Sequence, residues 1–169
     1  LFIHIHMPLP ATERILLGPG PSLIAPRVMR ALAAPVLSHL DPDFVPMLDE
    51  VRHSLQRLFR ADSKSLTIAT SGTGTSAMDA AVANFVSEGM RGIVIVTGYF
   101  GDRLAQMFER YGARVRRIDV EWGRAVDPQR LREELARDGA DVVGIVHAET
   151  STGVRNPVKE LAAVAREKG

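Results

Sequence analysis

Ser71-Gly72-Thr73-Gly74-Thr75 is the part of this chain best suited to chemistry, and the chemistry is anion binding. The run Leu66-Thr-Ile-Ala-Thr70 before it is β-compatible, and the stretch after it places Ala77, Met78, Ala81, Val82 and Phe85 on one helical face that stops by Gly89. Glycines at 72 and 74 let backbone N–H groups crowd one point, while Thr73, Thr75 and Ser76 add hydroxyls and N-cap oxygens. The free N–H groups and positive dipole end of such a helix favour a phosphate by about 0.3–1 kcal/mol when exposed and up to about 2 when partly buried. No Lys follows Gly74, and Ala77 stands where a dinucleotide turn needs its third glycine, so both nucleotide-loop patterns fail. The same residue types also serve an ordinary connection between strand and helix.

Two further loops follow apolar, strand-like runs. Tyr99-Phe100 comes after Ile93-Val-Ile-Val96, and His147-Ala-Glu-Thr-Ser-Thr-Gly153 comes after the run that begins at Asp141. Aromatic rings can stack on a flat ligand, and hydroxyls with a carboxylate can address its polar edge. In open parallel α/β sheets, ligands bind beyond the carboxyl ends of the strands, where all three loops belong. A phosphorylated aromatic cofactor would use the three together. Taken singly, the aromatics also suit helix packing, and Thr150-Ser151-Thr152 also suits a loop that ties down its own backbone. His147 and Glu149 are two apart without a third ligand, so no metal site is expected. Asp79, Glu88 and Arg103 read as solvent-face residues of their helices.

The elements that must position these loops are marked by caps and periodicity. Asp41-Pro42 starts a long helix in which Phe44, Met47, Leu48, Val51, Leu55, Leu58 and Phe59 recur at helical spacing, with Pro46 expected to kink or delay its first turn. A short helix is expected from Pro26 to about Ala34, and Gly18-Pro19-Gly20-Pro21 reads as a rigid turn. Strands are expected over residues 66–70, 93–97, 115–120 and 141–147, with helices over 102–111, from Asp127-Pro128 to Gly139, and from Asn156-Pro157 onward. Strands apolar on both faces and separated by amphipathic helices specify a mostly parallel sheet covered on both sides.

Composition narrows the function classes. Of 169 residues, 46% are hydrophobic and 24% charged, which suits a globular domain with a core. The net charge of +1 gives no electrostatic case for nucleic acid or an acidic membrane, and the apolar runs are strand-sized. No cysteine is present, which excludes disulfides, thiolate metal sites and thiol catalysis. The opening Leu1-Phe-Ile-His4-Ile-His6 lacks the features of a secretory leader, and a cytoplasmic protein is expected; His4 and His6 are assigned no chemistry.

Together, Leu17-Gly-Pro-Gly-Pro-Ser22, Ser38-His-Leu-Asp-Pro-Asp-Phe44, Ser71-Gly-Thr-Gly-Thr75, Gly98-Tyr-Phe-Gly101 and His147-Ala-Glu-Thr-Ser-Thr-Gly153 resemble the class V aminotransferases, nearest the alanine–glyoxylate and serine–pyruvate type. The likeness runs in order from about residue 14 to the end. It implies pyridoxal phosphate on a fold type I large domain, a three-layer α/β/α architecture with a mostly parallel sheet. Residues 1–21 would be an arm and Gly-Pro turn, and residues 22–169 the first part of the large domain. By the same likeness Thr73, Gly74 and Thr75 bind the cofactor phosphate, Phe100 stacks on the ring, and Thr150 bonds near its phenolic oxygen. His147 and Glu149 would support that loop from behind, Gly20 would line the substrate pocket, and His39 would lie near a homodimer seam. Leu23 stands where the family often has Asn, and Phe100 where some relatives carry Trp.

The resemblance also implies what the chain lacks. Lys64, Lys159 and Lys168 are the only lysines, and none matches the family's cofactor lysine, which would follow Gly169 together with the pyridine-nitrogen aspartate. In that fold the second strand lies between the third and the fourth, and three later strands separate the fourth from the first. The strand at 66–70 is therefore expected to lack its ladder, and the chain alone to be inactive and poorly folded. The expected reaction moves an amino group from alanine or serine to glyoxylate or pyruvate. The alternatives are a purine-catabolic aminotransferase of the same class, a non-catalytic fragment or interaction module, and a nucleotide-binding doubly wound domain.

Overall fold

The structure is a computed structural model and describes residues 14–167. His4, His6 and Lys168 lie outside the described residues. The chain divides into two compact units, residues 1–69 and 70–169.

The first unit holds two helices, α1 (Pro26–Leu32) and α2 (Phe44–Phe59). Helix α2 runs through the apolar repeat to Phe59 but starts at Phe44, with Asp43 rather than Asp41 at its N-cap, so the later start expected as one consequence of Pro46 is what occurs. Pro46 is the third helical residue, where an N–H has no intrahelical acceptor to lose. Arg60, in the left-handed conformation at φ 52°, ends the helix. Residues 66–70 are not a strand: the segment lies outside both sheets, with Leu66 and Ile68 exposed. An apolar run becomes a strand only when a neighbouring backbone completes its ladder.

The second unit is built on three parallel strands, β1 (Arg91–Val96), β2 (Arg114–Asp119) and β3 (Val142–Ile145), in the spatial order β2-β1-β3. These are the three strands expected to pair, in the expected order. Side chains of β1 alternate between two cores. Val94 and Val96 pack with Val82, Ala105 and Phe108 from α3 (Gly74–Phe85) and α4 (Tyr99–Arg110). Ile93 and Ile95 pack with Leu131, Leu135 and Leu161 from α5 (Pro128–Asp138) and α6 (Val158–Arg166). A right-handed crossover from β1 outward to β2 and another back past β1 to β3 must place α4 and α5 on opposite faces. That reversal makes the carboxyl ends of β1 and β3 neighbours, the position at which such sheets bind ligands.

Boundaries differ from the sequence expectation where tertiary contacts intervene. Helix α3 ends at Phe85, four residues before Gly89, whose φ of 80° begins the turn into β1. Helix α4 begins at Tyr99 rather than 102, which places Phe100 in its first turn. Asp127 caps α5 as expected, its carboxylate accepting from the Gln129 N–H at 2.9 Å. A small antiparallel pair, β4 (Ala148–Glu149) and β5 (Val154–Arg155), follows β3, where only a loop was expected.

The starts of β1 and β3 are clamped by one ion pair. Arg91 Nη2 donates to Asp141 Oδ1 at 2.8 Å, the Arg91 N–H donates to Oδ2 at 2.8 Å, and the Asp141 N–H returns a bond to the Arg91 carbonyl at 2.8 Å. Hydrogen bonds from the Arg91 side chain and backbone hold the Asp141 carboxyl at about 2, below its ordinary 3.8. A carboxyl depressed in the folded state contributes its full stability above the ordinary value and loses it as pH falls through the folded one. Asp141→Asn will therefore flatten the fall in stability between about pH 4 and about pH 2, read as urea midpoints of the full-length protein across that range. An unchanged slope would contradict the clamp.

Candidate functional site

The site begins at the start of α3. Thr73 occupies the N-cap in an extended conformation, and its N–H donates to Ser76 Oγ at 3.3 Å, one half of a capping box. The first backbone bond of the helix runs from the Ala77 N–H to the Thr73 carbonyl at 3.1 Å, so the N–H groups of Gly74 and Thr75 precede the intrahelical ladder. A Cβ built on Gly74 would meet nothing within 4 Å, so the space above this turn is open. On Gly72, a Cβ would come within 2.9 Å of Ser76 Cβ, which restricts that position to glycine.

The second component is the junction of β1 with α4. Gly98 leads into the helix, and the carboxylate of Glu149 lies across the helix start. Its Oε2 accepts from the Gly101 N–H at 2.9 Å, and its Oε1 accepts from the Phe100 N–H at 3.3 Å and from the Ser151 hydroxyl at 2.5 Å. Ser151 Oγ in turn accepts from the Tyr99 N–H at 3.0 Å. Three consecutive first-turn N–H groups thus find acceptors on the loop after β3, which explains why α4 starts three residues earlier than its own sequence suggests. Glu149 is fully buried, and a Cβ on Gly98 would come within 2.5 Å of its Cγ. Only glycine leaves room for this carboxylate.

The third component, the loop from Val146 to Thr152, is tied to the same strand end. Thr152 Oγ1 donates to the Thr97 carbonyl at 3.2 Å, and Asn156 Nδ2 donates to Thr97 Oγ1 and to the Val146 carbonyl, both at 2.9 Å. Asn156 and Thr97 are buried. The side chain of His147 does not share this burial: it is exposed, and the residue contributes its carbonyl, which accepts from the Asn156 N–H at 2.8 Å. The support from behind that the resemblance gave to His147 and Glu149 falls to Glu149 and Asn156.

Thr73, Gly74, Thr75, Phe100 and Thr150 all line one cleft of about 910 Å³. Its polar end is this cluster. The rest is an apolar trough between α3, α4 and β3, lined by residues such as Val82, Leu104 and Phe108. Gly20 belongs to the first unit. Lys64 also lies in the first unit, and Lys159 is exposed on α6 and does not line the cleft. Among the described residues no group of His, Asp and Glu could hold a metal ion, and no helix is long and apolar enough to cross a membrane.

Sequence reasoning missed Arg103, read as a solvent-face residue. It is half-buried, and its Nη1 donates to Thr75 Oγ1 at 2.7 Å. The only local signal was Tyr99 four residues earlier, within reach on the same helical face.

The cluster suits an anionic group joined to a flat ring: free N–H groups and hydroxyls at α3, an aromatic face from Phe100, and a hydroxyl from Thr150. Comparison with known proteins agrees. The aminotransferase class-V family profile matches residues 17–169. An uncharacterized aminotransferase of Methanocaldococcus jannaschii is 37% identical over 95% of this chain and 42% of its own length. The (S)-ureidoglycine–glyoxylate transaminase of Bacillus subtilis is 31% identical over 90% of this chain and 36% of its own. Among solved structures, the alanine–glyoxylate aminotransferase of Nostoc sp. superposes with a TM-score of 0.84 at 43% identity, covering 96% of this chain and 43% of that one. The chain thus spans about two fifths of the length of the relatives it matches. Across that span its sequence and its three-layer fold agree on one conclusion: the chain belongs to the class-V aminotransferases, whose cofactor is pyridoxal phosphate.

Proposed function

We propose that this chain carries the phosphate-binding and ring-facing part of an aminotransferase that moves an amino group from a small amino acid, alanine or serine, to a 2-oxo acid, glyoxylate or pyruvate. The observation that supports this most is the single cleft shared by Thr73, Gly74, Thr75, Phe100 and Thr150, drawn from three separate loops. In this reading the N–H groups of Gly74 and Thr75 and the hydroxyls of Thr73 and Thr75 bind the cofactor phosphate. Phe100 covers one face of the ring and keeps water off it, and the Thr150 hydroxyl addresses the ring's phenolic oxygen. Glu149 and Ser151 hold Phe100 and Thr150 in register. Pyridoxal phosphate, when bound, supplies an electron sink for charge that develops at the substrate's α-carbon.

The lysine that anchors the cofactor and moves the substrate proton is assigned to polypeptide beyond these residues, so the chain alone is inactive. Gly20 lines the substrate pocket by family likeness. The full-length protein is a cytoplasmic homodimer in this reading. Likeness to the Bacillus subtilis enzyme favours a second donor, (S)-ureidoglycine with glyoxylate as acceptor.

Purified full-length protein supplied with pyridoxal phosphate will show a visible absorbance band that borohydride removes, and will form glycine from glyoxylate with one of these donors. A colourless protein unchanged by added cofactor would contradict the proposal.

A further inference from the structure

Several arginines of the second unit face a carboxylate: Arg91 pairs with Asp141, Arg116 with Glu134, Arg117 with Asp102 and Asp119, and Arg132 with Glu167. Arg103 does not. It is half-buried, and among the described residues no carboxylate lies within ion-pair distance of it. Its guanidinium is nonetheless fixed. Nη2 donates to the Tyr99 hydroxyl, the Cζ lies 4.9 Å from the Tyr99 ring centroid, and Nη1 reaches Thr75 Oγ1 at 2.7 Å. An unneutralised cation is thereby held against the second residue of α3, at the polar end of the cleft.

The direction of the Thr75 bond matters. Arginine has only donors, so the Thr75 oxygen must be the acceptor, and its own proton is left to be given elsewhere. A hydroxyl polarised by a cation on one side is a stronger donor on the other. We propose that Arg103 is a positioning residue for the cofactor phosphate: it turns the Thr75 hydroxyl into a dedicated donor to that phosphate and supplies the nearby positive charge that the glycine turn, lacking a lysine, does not carry. This rests on the phosphate reading given above. Tyr99 takes part by holding the guanidinium, through its hydroxyl and its ring face.

The test uses full-length protein stripped of cofactor and titrated with pyridoxal phosphate and, separately, with pyridoxal, which has the same ring and aldehyde but no phosphate. Wild type will bind pyridoxal phosphate more tightly. Arg103→Met will weaken pyridoxal phosphate about ten- to hundredfold, as for loss of a charge-assisted bond, and leave pyridoxal unchanged. Thr75→Ala combined with Arg103→Met will cost less than the sum of the two. Arg103→Lys will recover part of the loss, whereas Arg103→Gln will not. The bound cofactor's phosphorus resonance will shift in Arg103→Met. Equal weakening of both ligands, or of neither, would overturn the proposal and leave Arg103 as a tie between helices. If Arg103→Met does not fold, equal pyridoxal phosphate affinities for the Lys and Gln variants would overturn it. Equal binding of the two ligands by wild type would instead remove the phosphate reading itself, and this assignment with it.

Discussion

Replacing Glu149 with leucine will destabilise the full-length protein by about 2–6 kcal/mol, the sum for two buried N–H groups each left without its acceptor. The side chain is 0% exposed and accepts from the N–H groups of Phe100, Gly101 and Ser151 and from the Ser151 hydroxyl. Leucine has similar bulk but no acceptor. It would leave the Phe100 and Gly101 N–H groups unpaired at the positive end of α4, at about 1–3 kcal/mol for each buried orphan. Glu149→Gln keeps one oxygen and turns an amide donor toward other donors, so its loss will fall between leucine and wild type. Because the same carboxylate bridges the Phe100 turn and the Thr150 loop, cofactor retention will drop with stability. Urea unfolding of the holoprotein and of the stripped protein measures both; a leucine variant within about 1 kcal/mol of wild type would refute the clamp.

Much of the fold is legible in local signals. Seven apolar residues at helical spacing, from Phe44 to Phe59, mark the span of α2, and Asp127-Pro128 marks the start of α5. Two apolar runs mark β1 and β3, and the rule that ligands sit at strand carboxyl ends is enough to bring Phe100 and Thr150 together; Thr73 joins them in the cleft although the run before it forms no strand. What escaped depends on partners distant in sequence. Arg103 looks solvent-facing on its helix because the oxygen it serves is 28 residues away on another. Asn156 looks like a helix opener because its amide contacts, Thr97 and Val146, are invisible to periodicity. Helix α4 begins early because its cap is the carboxylate of Glu149, 48 residues beyond Gly101. The run at 66–70 has strand composition without strand structure, since composition cannot supply the neighbour that a ladder needs.

Gly74→Asp will abolish cofactor binding without harming the fold. A Cβ at residue 74 meets no atom within 4 Å, so a side chain leaves the backbone there into open space. An aspartate in the first turn of a helix is favourable by about 0.3–1 kcal/mol and also lowers chain entropy relative to glycine. The same carboxylate would stand in the open space above the turn, against the N–H groups of Gly74 and Thr75, where it meets an incoming phosphate with like charge. Two close anions forced to share one site cost several kcal/mol, which corresponds to roughly a hundredfold or more in affinity. Most substitutions at a binding site confuse damage to the fold with damage to the site. This one separates them, because its effects on stability and on phosphate binding have opposite signs.

The affinity of full-length Gly74→Asp for pyridoxal phosphate, measured beside its thermal midpoint, therefore bears most directly on whether the start of α3 binds the cofactor phosphate. The expected result is a midpoint, without cofactor, equal to or above that of wild type, with pyridoxal phosphate bound roughly a hundredfold more weakly or not at all. A variant that folds normally and binds pyridoxal phosphate as wild type does would place the phosphate elsewhere.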